Sequence, residues 1–560
     1  MLEKQTNHWR WIVLTSLLAV LVIYIYQTYY YWHYVNDDAY ITFRYSRFLA
    51  MGRGPYFNVG EHVEGYTNFS LMLIMALVIR IMGSDVAPAV SKIIGATSGS
   101  LSIIMAFAMC GYHLRKSAGF NLTADVWGLG AAGIVAVNPA FALNSVSGLE
   151  TTLFAFLLIL SVFLASIEID LKKWLGSGLA FGAAVLTRPE GILLFAVFCL
   201  AQAIVAIPGM RKKGGKLSDI LANDPTLKIL ITNGLIVTVC FISQEIFRLI
   251  CYDGEWLPNT YYAKAEGFWK ISSSAYISQG ILPSFFGVVG IALSFSGFLL
   301  KRKTITPYIP LGAIAAAGVF LPYITGPDWM RGWRLLMPFL PLAASFIVIG
   351  WALLFSRLLR GYSWVGPALM ITCIPLLWLK QDIQRKDFYN YIYLRAIGYK
   401  TGHIALANWL QNKAAKPGDS IALMDIGLVG YMCIDQRIID LTGLTDRFIA
   451  KRNGIFLKKI YDPKYILDQH PDYIILTFTS EGISYEPFPP GIRFKPWIRM
   501  EKMIYLDPEF KKDYINYQSS ELSSNHWLTA LSRELGAEKI FEHAYPGVYY
   551  LMAVFHHTSG

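Results

Sequence analysis

NDDAYITFRYSRFLAMGRGPYFNVGEHVEGYTN, residues 36–68, is the most informative stretch of the chain. It follows an apolar segment, residues 11–31, that is long enough to cross a bilayer, since about 20 apolar residues span the hydrocarbon core. Two adjacent carboxylates, Asp37 and Asp38, therefore lie at the end of a first membrane span. The residues after them mix apolar and basic side chains in a pattern that predicts a short amphipathic helix. A carboxylate pair beside a membrane, with arginines and aromatic residues around it, indicates chemistry that involves a lipid.

The composition is that of a membrane protein. The chain has 560 residues, of which 54% are hydrophobic and 16% are charged, and its mean hydropathy is +0.42. Soluble domains carry about 25% charged residues, so this deficit predicts a chain that crosses a membrane several times. The net charge is +11, but Lys and Arg gather between apolar segments, as they do in cytoplasmic loops. We therefore expect membrane lipid as a partner and no nucleic acid.

The cysteine and carboxylate patterns predict no obligatory metal ion or other cofactor. None of the six cysteines forms a C-x-x-C pair, so neither a zinc site nor a disulfide framework is expected. Adjacent carboxylates such as Asp37 and Asp38 are able to hold Mg²⁺ through one or two oxygens. Arginines and lysines on the same face offer the counter-charge instead, and we expect them to neutralise the pair.

The distribution of basic residues predicts about eleven transmembrane helices with a cytoplasmic N-terminus. The N-terminal segment lacks a small-residue cleavage site, so we expect an uncleaved first helix. Residues 71–82 are too short to cross and should form a juxtamembrane helix in the first outer loop. Near residue 381 the apolar runs shorten to strand length and alternate with helical stretches. We predict a transmembrane domain over residues 1–380 and a soluble α/β domain over residues 381–560, on the outer side.

Asp37 and Asp38 are the candidate catalytic residues, and two interpretations of them stay open. The structural interpretation is helix capping, because acidic residues are favoured at a helix start. The functional interpretation is general-base catalysis, in which a carboxylate takes the proton of an acceptor hydroxyl within hydrogen-bond reach. The second carboxylate would then orient the acceptor or bind a cation.

Three outer loops, residues 187–190, 255–264 and 328–334, carry cations among aromatic residues. Interfacial anchoring explains any one of them alone. Three such loops on the face of the carboxylates favour a lipid-phosphate site, because Arg and Lys neutralise phosphate well. The residues predicted to bind the donor phosphate are Lys264, Arg188, Arg331 and Arg334.

Polar and aromatic residues of the same loops are candidates to hold sugar hydroxyls. The predicted sugar- and acceptor-binding residues are Arg44, Glu64, Tyr66, Asn68, Asn144, Glu150, Glu190, Asn259, Tyr261, Asp328 and Trp329. For Asn68 and Asn144 the alternative is a loop that caps a helix. In the outer domain, Asp425-Ile-Gly and Asp440-Leu-Thr-Gly are expected to be structural turns at strand ends.

The run Asp37-Asp-Ala-Tyr-Ile-Thr-Phe-Arg-Tyr45, followed by Phe57-Asn-x-Gly-Glu61 and Val63-Glu-Gly-Tyr-Thr-Asn68, resembles the GT-C superfamily of integral-membrane glycosyltransferases. It is most similar to the terminal arabinofuranosyltransferase B family of mycobacterial cell-wall synthesis and to related bacterial enzymes. Thr187-Arg-Pro-Glu190 and Leu257-Pro-Asn-Thr260 extend the resemblance, which covers most of the chain.

The resemblance implies a GT-C fold in the bacterial inner membrane, with the C-terminal domain in the periplasm. It implies a polyprenyl-phosphate sugar donor, such as decaprenyl- or undecaprenyl-phosphate arabinofuranose, and a glycan or protein acceptor of the cell envelope. It also implies a catalytic aspartate in the first outer loop, which we place at Asp37, with Asp38 as the alternative or as a helper. The donor-phosphate role is carried onto Lys264, Arg188 and Arg331. Neither the sugar nor an inverting or retaining outcome is defined by the motifs.

Two other functions stay open. A transporter or flippase of a lipid-linked sugar would place ionisable groups near the bilayer midplane, often in repeated helices. The central thirds of the predicted helices hold almost no charge, and the chain shows no internal repeat. A periplasmic assembly scaffold would instead work through the outer domain alone.

Overall fold

Most of the described residues before residue 381 are helical. The computed structural model describes residues 2–118, 120–213, 224–264, 269–300, 306–328, 330–359, 361–480, 494–516, 526–545 and 548–558. The helices of this part are α1 (Leu2–Tyr30), α2 (Asp37–Ala50), α3 (Phe69–Met82), α4 (Ala87–Ala118), α5 (Thr123–Val137), α6 (Pro139–Ser145), α7 (Thr151–Leu171), α8 (Ser177–Thr187), α9 (Glu190–Lys213), α10 (Pro225–Cys251), α11 (Asn259–Lys264), α12 (Trp269–Ile281), α13 (Gly287–Leu300), α14 (Ile309–Phe320), α15 (Pro322–Thr325), α16 (Leu340–Leu358) and α17 (Val365–Lys380).

The apolar helices show a multi-pass membrane protein. Within the described ranges, six helices are long and apolar enough to cross a membrane, or eight if each of two bent pairs counts as one span. The shorter apolar helices include α8, α9 and α17, which lie where further spans were predicted, and α3, which is the predicted juxtamembrane helix. Each of the eleven predicted spans thus falls on a helix or a bent pair, while the number of crossings stays a prediction.

Helix α16 is the centre of the bundle, because 83% of its apolar window is buried, against 22% for α1 and 17% for α10. It packs against α4, α5 and α13. Gly297 of α13 and Gly350 of α16 allow the closest of these approaches, since a methyl group on Gly297 would overlap the carbonyl of Gly350.

The C-terminal region contains a mixed sheet of six strands in the order β2-β1-β3-β6-β5, with β4 paired to β3. The strands are β1 (Ser420–Leu423), β2 (Arg437–Asp440), β3 (Tyr473–Ser480), β4 (Phe494–Pro496), β5 (Lys539–Tyr545) and β6 (Val548–His556). Strands β1, β2 and β3 pair in parallel, whereas β4, β5 and β6 pair antiparallel with their neighbours. The helices of this region are α18 (Asp382–Gly398), α19 (Ala405–Trp409), α20 (Ile426–Met432), α21 (Arg447–Ala450), α22 (Lys464–Leu467), α23 (Arg499–Leu506), α24 (Pro508–Asp513) and α25 (His526–Leu535). The predicted fold class, a helical membrane protein with a C-terminal α/β region, is confirmed.

The two regions share their cores. Ile41, Tyr45 and Phe57, from the first outer loop, are buried in the apolar cluster of the sheet. Phe388 and Tyr391 of α18 are buried in the cluster of the helical bundle. The sheet lies within the predicted domain 381–560, and the division of the chain at residue 380 stays a prediction.

Candidate active site

Both carboxylate oxygens of Asp37 accept hydrogen bonds from backbone N–H groups of the C-terminal region. Its Oδ1 accepts a hydrogen bond from Leu428 N–H at 2.7 Å, and its Oδ2 accepts one from Gly427 N–H at 3.1 Å. The backbone N–H of Asp37 donates to the hydroxyl of Tyr399 at 3.2 Å. Burial raises the pKa of Asp37 to about 6, although nearby His403 opposes the shift. Because both oxygens accept backbone hydrogen bonds, Asp37 fastens the start of α2 to α20, and its role as the base stays a prediction.

Asp38, the next residue, has a free carboxylate. No residue in the described part of the chain hydrogen-bonds to its side chain, which is partly exposed, while its backbone N–H donates to Asn36 Oδ1 at 3.2 Å. The charged groups that act on it are Lys264, Arg334, Asp328 and Asp425. Burial raises the pKa of Asp38, and the two cations oppose that effect. Asp38 is therefore the aspartate that is available to a substrate.

Arg334 presents its guanidinium beside Asp38 in a fixed orientation. Its Nε donates to Asp328 Oδ2 at 2.7 Å, and Asp328 Oδ1 accepts from Met330 N–H at 3.2 Å. Burial favours a neutral Asp328, but Arg334 and Lys264 outweigh it and hold the pKa of Asp328 below its usual range. Neither terminal amino group of Arg334 bonds to another described residue, so both are free to bind an anion.

Lys264 is the second cation at this place. It ends α11, and its Nζ lies 5.4 Å from the ring centre of Phe456. Within the described ranges it forms no ion pair, although its charge acts on Asp38 and Asp328. The free N–H groups of Lys264 and Arg334 and the Asp38 carboxylate together make these residues a candidate anion-binding site.

Arg188 and two glutamates complete the charged cluster. Arg188 lies 2.8 Å from Glu190 Oε1 and 3.3 Å from Glu150 Oε1, and it is buried. Glu150 Oε2 accepts from Asn68 Nδ2 at 2.9 Å, and Asn68 Oδ1 accepts from Thr42 of α2 at 3.0 Å. Arg188 and Glu150 also act electrostatically on Arg334. Hydrogen bonds thus connect Glu150 and Asn68 to α2, and electrostatic interactions connect Arg188 and Glu150 to Arg334. The positive charge of Arg188 is balanced by Glu150 and Glu190.

Two buried hydroxyl groups at this cluster have no hydrogen-bond partner among the described residues: Thr151 Oγ1, beside Glu150, and Thr260 Oγ1, in α11. A buried hydroxyl without a partner costs free energy.

Arg44 is a structural residue, which corrects its predicted sugar-binding role. Its guanidinium is 1% exposed and donates only to partners that hold the fold. Those partners are the carbonyls of Phe57, Gly430, Cys433 and Gln436 and the side-chain oxygen of Asn58. With every N–H group used, Arg44 cannot donate to a sugar.

Other predicted residues also hold loops together instead of facing the cluster. Glu64 forms a buried ion pair with Arg248 at 2.5 Å. Tyr66 shares a hydrogen bond of 3.0 Å with the hydroxyl of Tyr252. Asn144 donates to the carbonyls of Ala140 and Gly332, at 2.8 and 2.7 Å. The polar atoms of these three residues are buried and paired within the protein, and their sugar-binding roles stay predictions.

Three further predictions have different outcomes. Arg331 forms an exposed ion pair with Asp387 at 2.5 Å and lies over the ring of Tyr391, so its charge is paired away from Asp38. Tyr261 is 54% exposed and is free to contact a ligand. Trp329 lies outside the described residues.

Sequence analysis missed the residues that surround Asp37 from the C-terminal region. Asp425 accepts hydrogen bonds from His403 Nε2 at 3.1 Å and from the Tyr550 hydroxyl at 2.6 Å. Burial alone would raise the pKa of Asp425, but these two partners lower it to about 2. The motif Asp425-Ile-Gly was visible and was interpreted as a structural turn. Nothing in the local sequence of His403 or Tyr399 pointed to Asp37.

Comparisons with known proteins follow from this description. Residues 390–529 match a family model described as "Domain of unknown function (DUF8728)". No curated protein sequence matches the chain. Among solved structures, the apo oligosaccharyltransferase of Archaeoglobus fulgidus is 11% identical, with 97% of this chain and 88% of that chain covered and a TM-score of 0.52.

Two further structures have lower TM-scores. ArnT from Cupriavidus metallidurans, bound to undecaprenyl phosphate, is 14% identical, with 78% of this chain and 87% of that chain covered and a TM-score of 0.44. The arabinosyltransferase EmbB from Mycobacterium smegmatis is 12% identical, with 60% and 30% covered and a TM-score of 0.39. The archaeal likeness extends over nearly the whole chain and shows a shared fold. The chain therefore has the fold of this archaeal oligosaccharyltransferase.

Proposed function

We propose that this protein is a membrane glycosyltransferase that moves a sugar from a polyprenyl phosphate to a hydroxyl group. The observation that supports this function best is the environment of Asp38. The Asp38 side chain has no hydrogen-bond partner among the described residues, and the charges of Arg334 and Lys264 act on it, while the terminal amino groups of Arg334 are free. Glycosyl transfer from a lipid phosphate needs these two parts, a base for the acceptor and cations for the leaving phosphate.

The groups act in one displacement. The acceptor hydroxyl donates its hydrogen bond to Asp38, and its oxygen attacks the anomeric carbon of the donor sugar. As the new C–O bond forms, the bond from the anomeric carbon to the phosphate oxygen breaks, and Asp38 takes the hydroxyl proton. The negative charge that develops on the phosphate is stabilised by Arg334 and Lys264. The hydrogen bond from Arg334 Nε to Asp328 holds the guanidinium in the required orientation. Because Arg334 and Lys264 neutralise the leaving phosphate, the proposed reaction requires no metal ion or other cofactor.

The finer parts of the proposal rest on the sequence resemblance. The donor is decaprenyl- or undecaprenyl-phosphate arabinofuranose, and the acceptor is a glycan or protein of the cell envelope. The protein lies in the bacterial inner membrane, with the Asp38 site and the C-terminal region on the periplasmic side. We assign contacts to the sugar to Tyr261, which is 54% exposed, and to Glu150, whose charge acts on Arg334.

Replacement of Asp38 tests the function. Asp38→Asn should lower transfer from synthetic undecaprenyl-phosphate arabinofuranose by about 10²- to 10⁴-fold, the usual contribution of a positioned base. Binding of undecaprenyl phosphate and the thermal unfolding midpoint should stay at the wild-type values. Asp37→Asn is the matched comparison: it disturbs a hydrogen bond to the C-terminal region and should act on the midpoint as well as on the rate.

Full transfer activity in Asp38→Asn would contradict the proposal. If the reconstituted wild-type protein moves the lipid-linked sugar across vesicles without forming a product, the transporter alternative would replace it.

A further inference from the structure

We propose that the C-terminal sheet sets the distance between the base and the phosphate-binding cation, through two adjacent loops at the ends of its parallel strands. This inference rests on the proposed function, because it gives Asp38 and Lys264 those roles. It assigns positioning roles to Gly427 and Asn259, which do not take part in the displacement.

The two loops leave one edge of the sheet. Strands β1 and β2 pair in parallel with Leu423 opposite Asp440, and Leu441 N–H donates to Leu423 O at 3.1 Å. The carboxyl ends of neighbouring parallel strands lie side by side. The segments that follow them are therefore fixed relative to each other by the strand ladder: residues 424–428, which end in the first turn of α20, and residues 441–446.

The first loop holds the base. Gly427 and Leu428 donate their backbone N–H groups to Asp37, the residue before Asp38. A side chain at position 427 has no room, because a Cβ there would overlap the backbone oxygen and the carboxylate of Asp37. Asp425, at the start of the loop, is anchored by His403 and Tyr550.

The second loop holds the cation. Asn259 begins α11, the six-residue helix that ends at Lys264. Its Nδ2 donates to the carbonyls of Gly443 and Leu444, at 2.9 and 3.0 Å. The loop is itself rigid, since the Asp440 carboxylate accepts hydrogen bonds from both the backbone and the hydroxyl of Thr442 and of Thr445.

The sheet edge thus connects two parts of the outer face that are far apart in sequence. Asp38 is held through the loop after β1, and Lys264 through the loop after β2. A displacement of about 1 Å between catalytic groups is able to cost about 100-fold in rate. Two loops on one strand ladder are a direct way to prevent such a displacement.

The test uses the full-length protein in nanodiscs and two variants with different expected effects. The methyl group added in Gly427→Ala displaces Asp37 and, with it, the base Asp38. The kcat should therefore fall by about tenfold or more, while the Kd for undecaprenyl phosphate stays within about twofold. Asn259→Ala frees the helix of Lys264, so the Kd for undecaprenyl phosphate should rise by about fivefold or more, which corresponds to the loss of a charge-assisted contact. Gly234→Ala, where a Cβ meets no atom within 4 Å, and Asn121→Ala, at an exposed position, are the matched controls and should match the wild type.

A merely structural role would give both variants the same signature, with a lower thermal midpoint and parallel losses of kcat and donor binding. That result would overturn the inference, as would wild-type values in both variants. A wild-type protein that binds undecaprenyl phosphate but forms no product would instead contradict the proposed function. If Asn259→Ala then still weakened lipid binding selectively, the link between the sheet edge and Lys264 would stand.

Discussion

At the scale of single residues, Asp37 and Asp38 show what a sequence motif does and does not contain. The motif predicted a carboxylate pair at the start of a helix, and the structure has it there. Successive side chains on a helix point about 100° apart, so one aspartate faces the C-terminal region and the other faces the cations. Which one is free depends on Gly427 and Leu428, 390 and 391 residues away. No local pattern carries that information, so the motif left both aspartates as candidates for the base.

The charge around Asp38 predicts a shift in the pH profile. Asp38 works as a base in its ionised form, so kcat/KM falls as the pH drops through its pKa. Lys264 lowers that pKa, and its removal must therefore raise it. In Lys264→Met, the acid limb of the kcat/KM profile should move to higher pH, in addition to weaker donor binding. Arg331→Met is the control, because Arg331 is paired with Asp387, and its acid limb should coincide with that of the wild type.

If the acid limb of Lys264→Met coincides with that of the wild type, the charge of Lys264 does not influence the pKa of the base. Movement of the limb by a similar amount in Arg331→Met would mean that the general charge of the outer face, not the local cation, sets the pKa of the base.

Arg44 predicts a large loss of stability. A buried acceptor without a partner costs about 1–3 kcal/mol, and Arg44→Met would leave the carbonyls of Phe57, Gly430, Cys433 and Gln436 without their donor. The thermal unfolding midpoint should drop far more than in Arg80→Met, where the bond to Ala50 O is exposed and 3.3 Å long. Equal midpoints in the two variants would show that the buried network contributes little to stability.

At the scale of elements, the continuous apolar run that predicted a single third span is a bent pair of helices. Helices α5 and α6 meet at 66°. Pro139 cannot donate a backbone hydrogen bond to the preceding turn, and Asn138 Oδ1 accepts from Phe141 N–H at 2.9 Å to start the new helix. Hydropathy does not register such a break, because both sides of it are apolar. The bend positions Ser145 and the loop before Glu150.

The bend predicts a graded response to substitution at Asn138. Asn138→Ala removes the cap, which costs about 1 kcal/mol, and also the bond from Nδ2 to Ser284 at 2.8 Å. Asn138→Ser keeps a capping oxygen, adds no charge and loses the amide donor. The unfolding midpoints should therefore rank wild type, Asn138→Ser, Asn138→Ala in descending order. An alanine variant as stable as the serine variant would mean that the cap does not stabilise the bend.

At the scale of the whole molecule, the helical segments and the C-terminal α/β region were predictable because hydropathy and strand length are local signals. The sharing of apolar cores between the helical and C-terminal regions was not predictable. Phe57 and Tyr45 are buried in the sheet cluster, beside residues more than 350 positions later in the chain. Burial of this kind depends on contacts between residues hundreds of positions apart, which a single sequence does not reveal.

The placement of the site on one side of the membrane is testable with introduced cysteines at exposed positions. Arg53→Cys and Lys458→Cys should react with an impermeant maleimide from the periplasmic side, and Lys173→Cys and Ser363→Cys only from the cytoplasmic side. This follows from the proposed topology, since the first pair flanks the first outer loop and the sheet region, and the second pair lies in predicted inner loops. Opposite accessibility of Arg53→Cys and Lys458→Cys would contradict the proposed orientation.

The bonds of Arg44 also set the order of events during synthesis. Its guanidinium needs carbonyls that are made up to 392 residues later. A nascent chain that ends before residue 430 therefore lacks three of the four carbonyls that accept from this guanidinium, and the buried charge cannot be satisfied until those residues have been made.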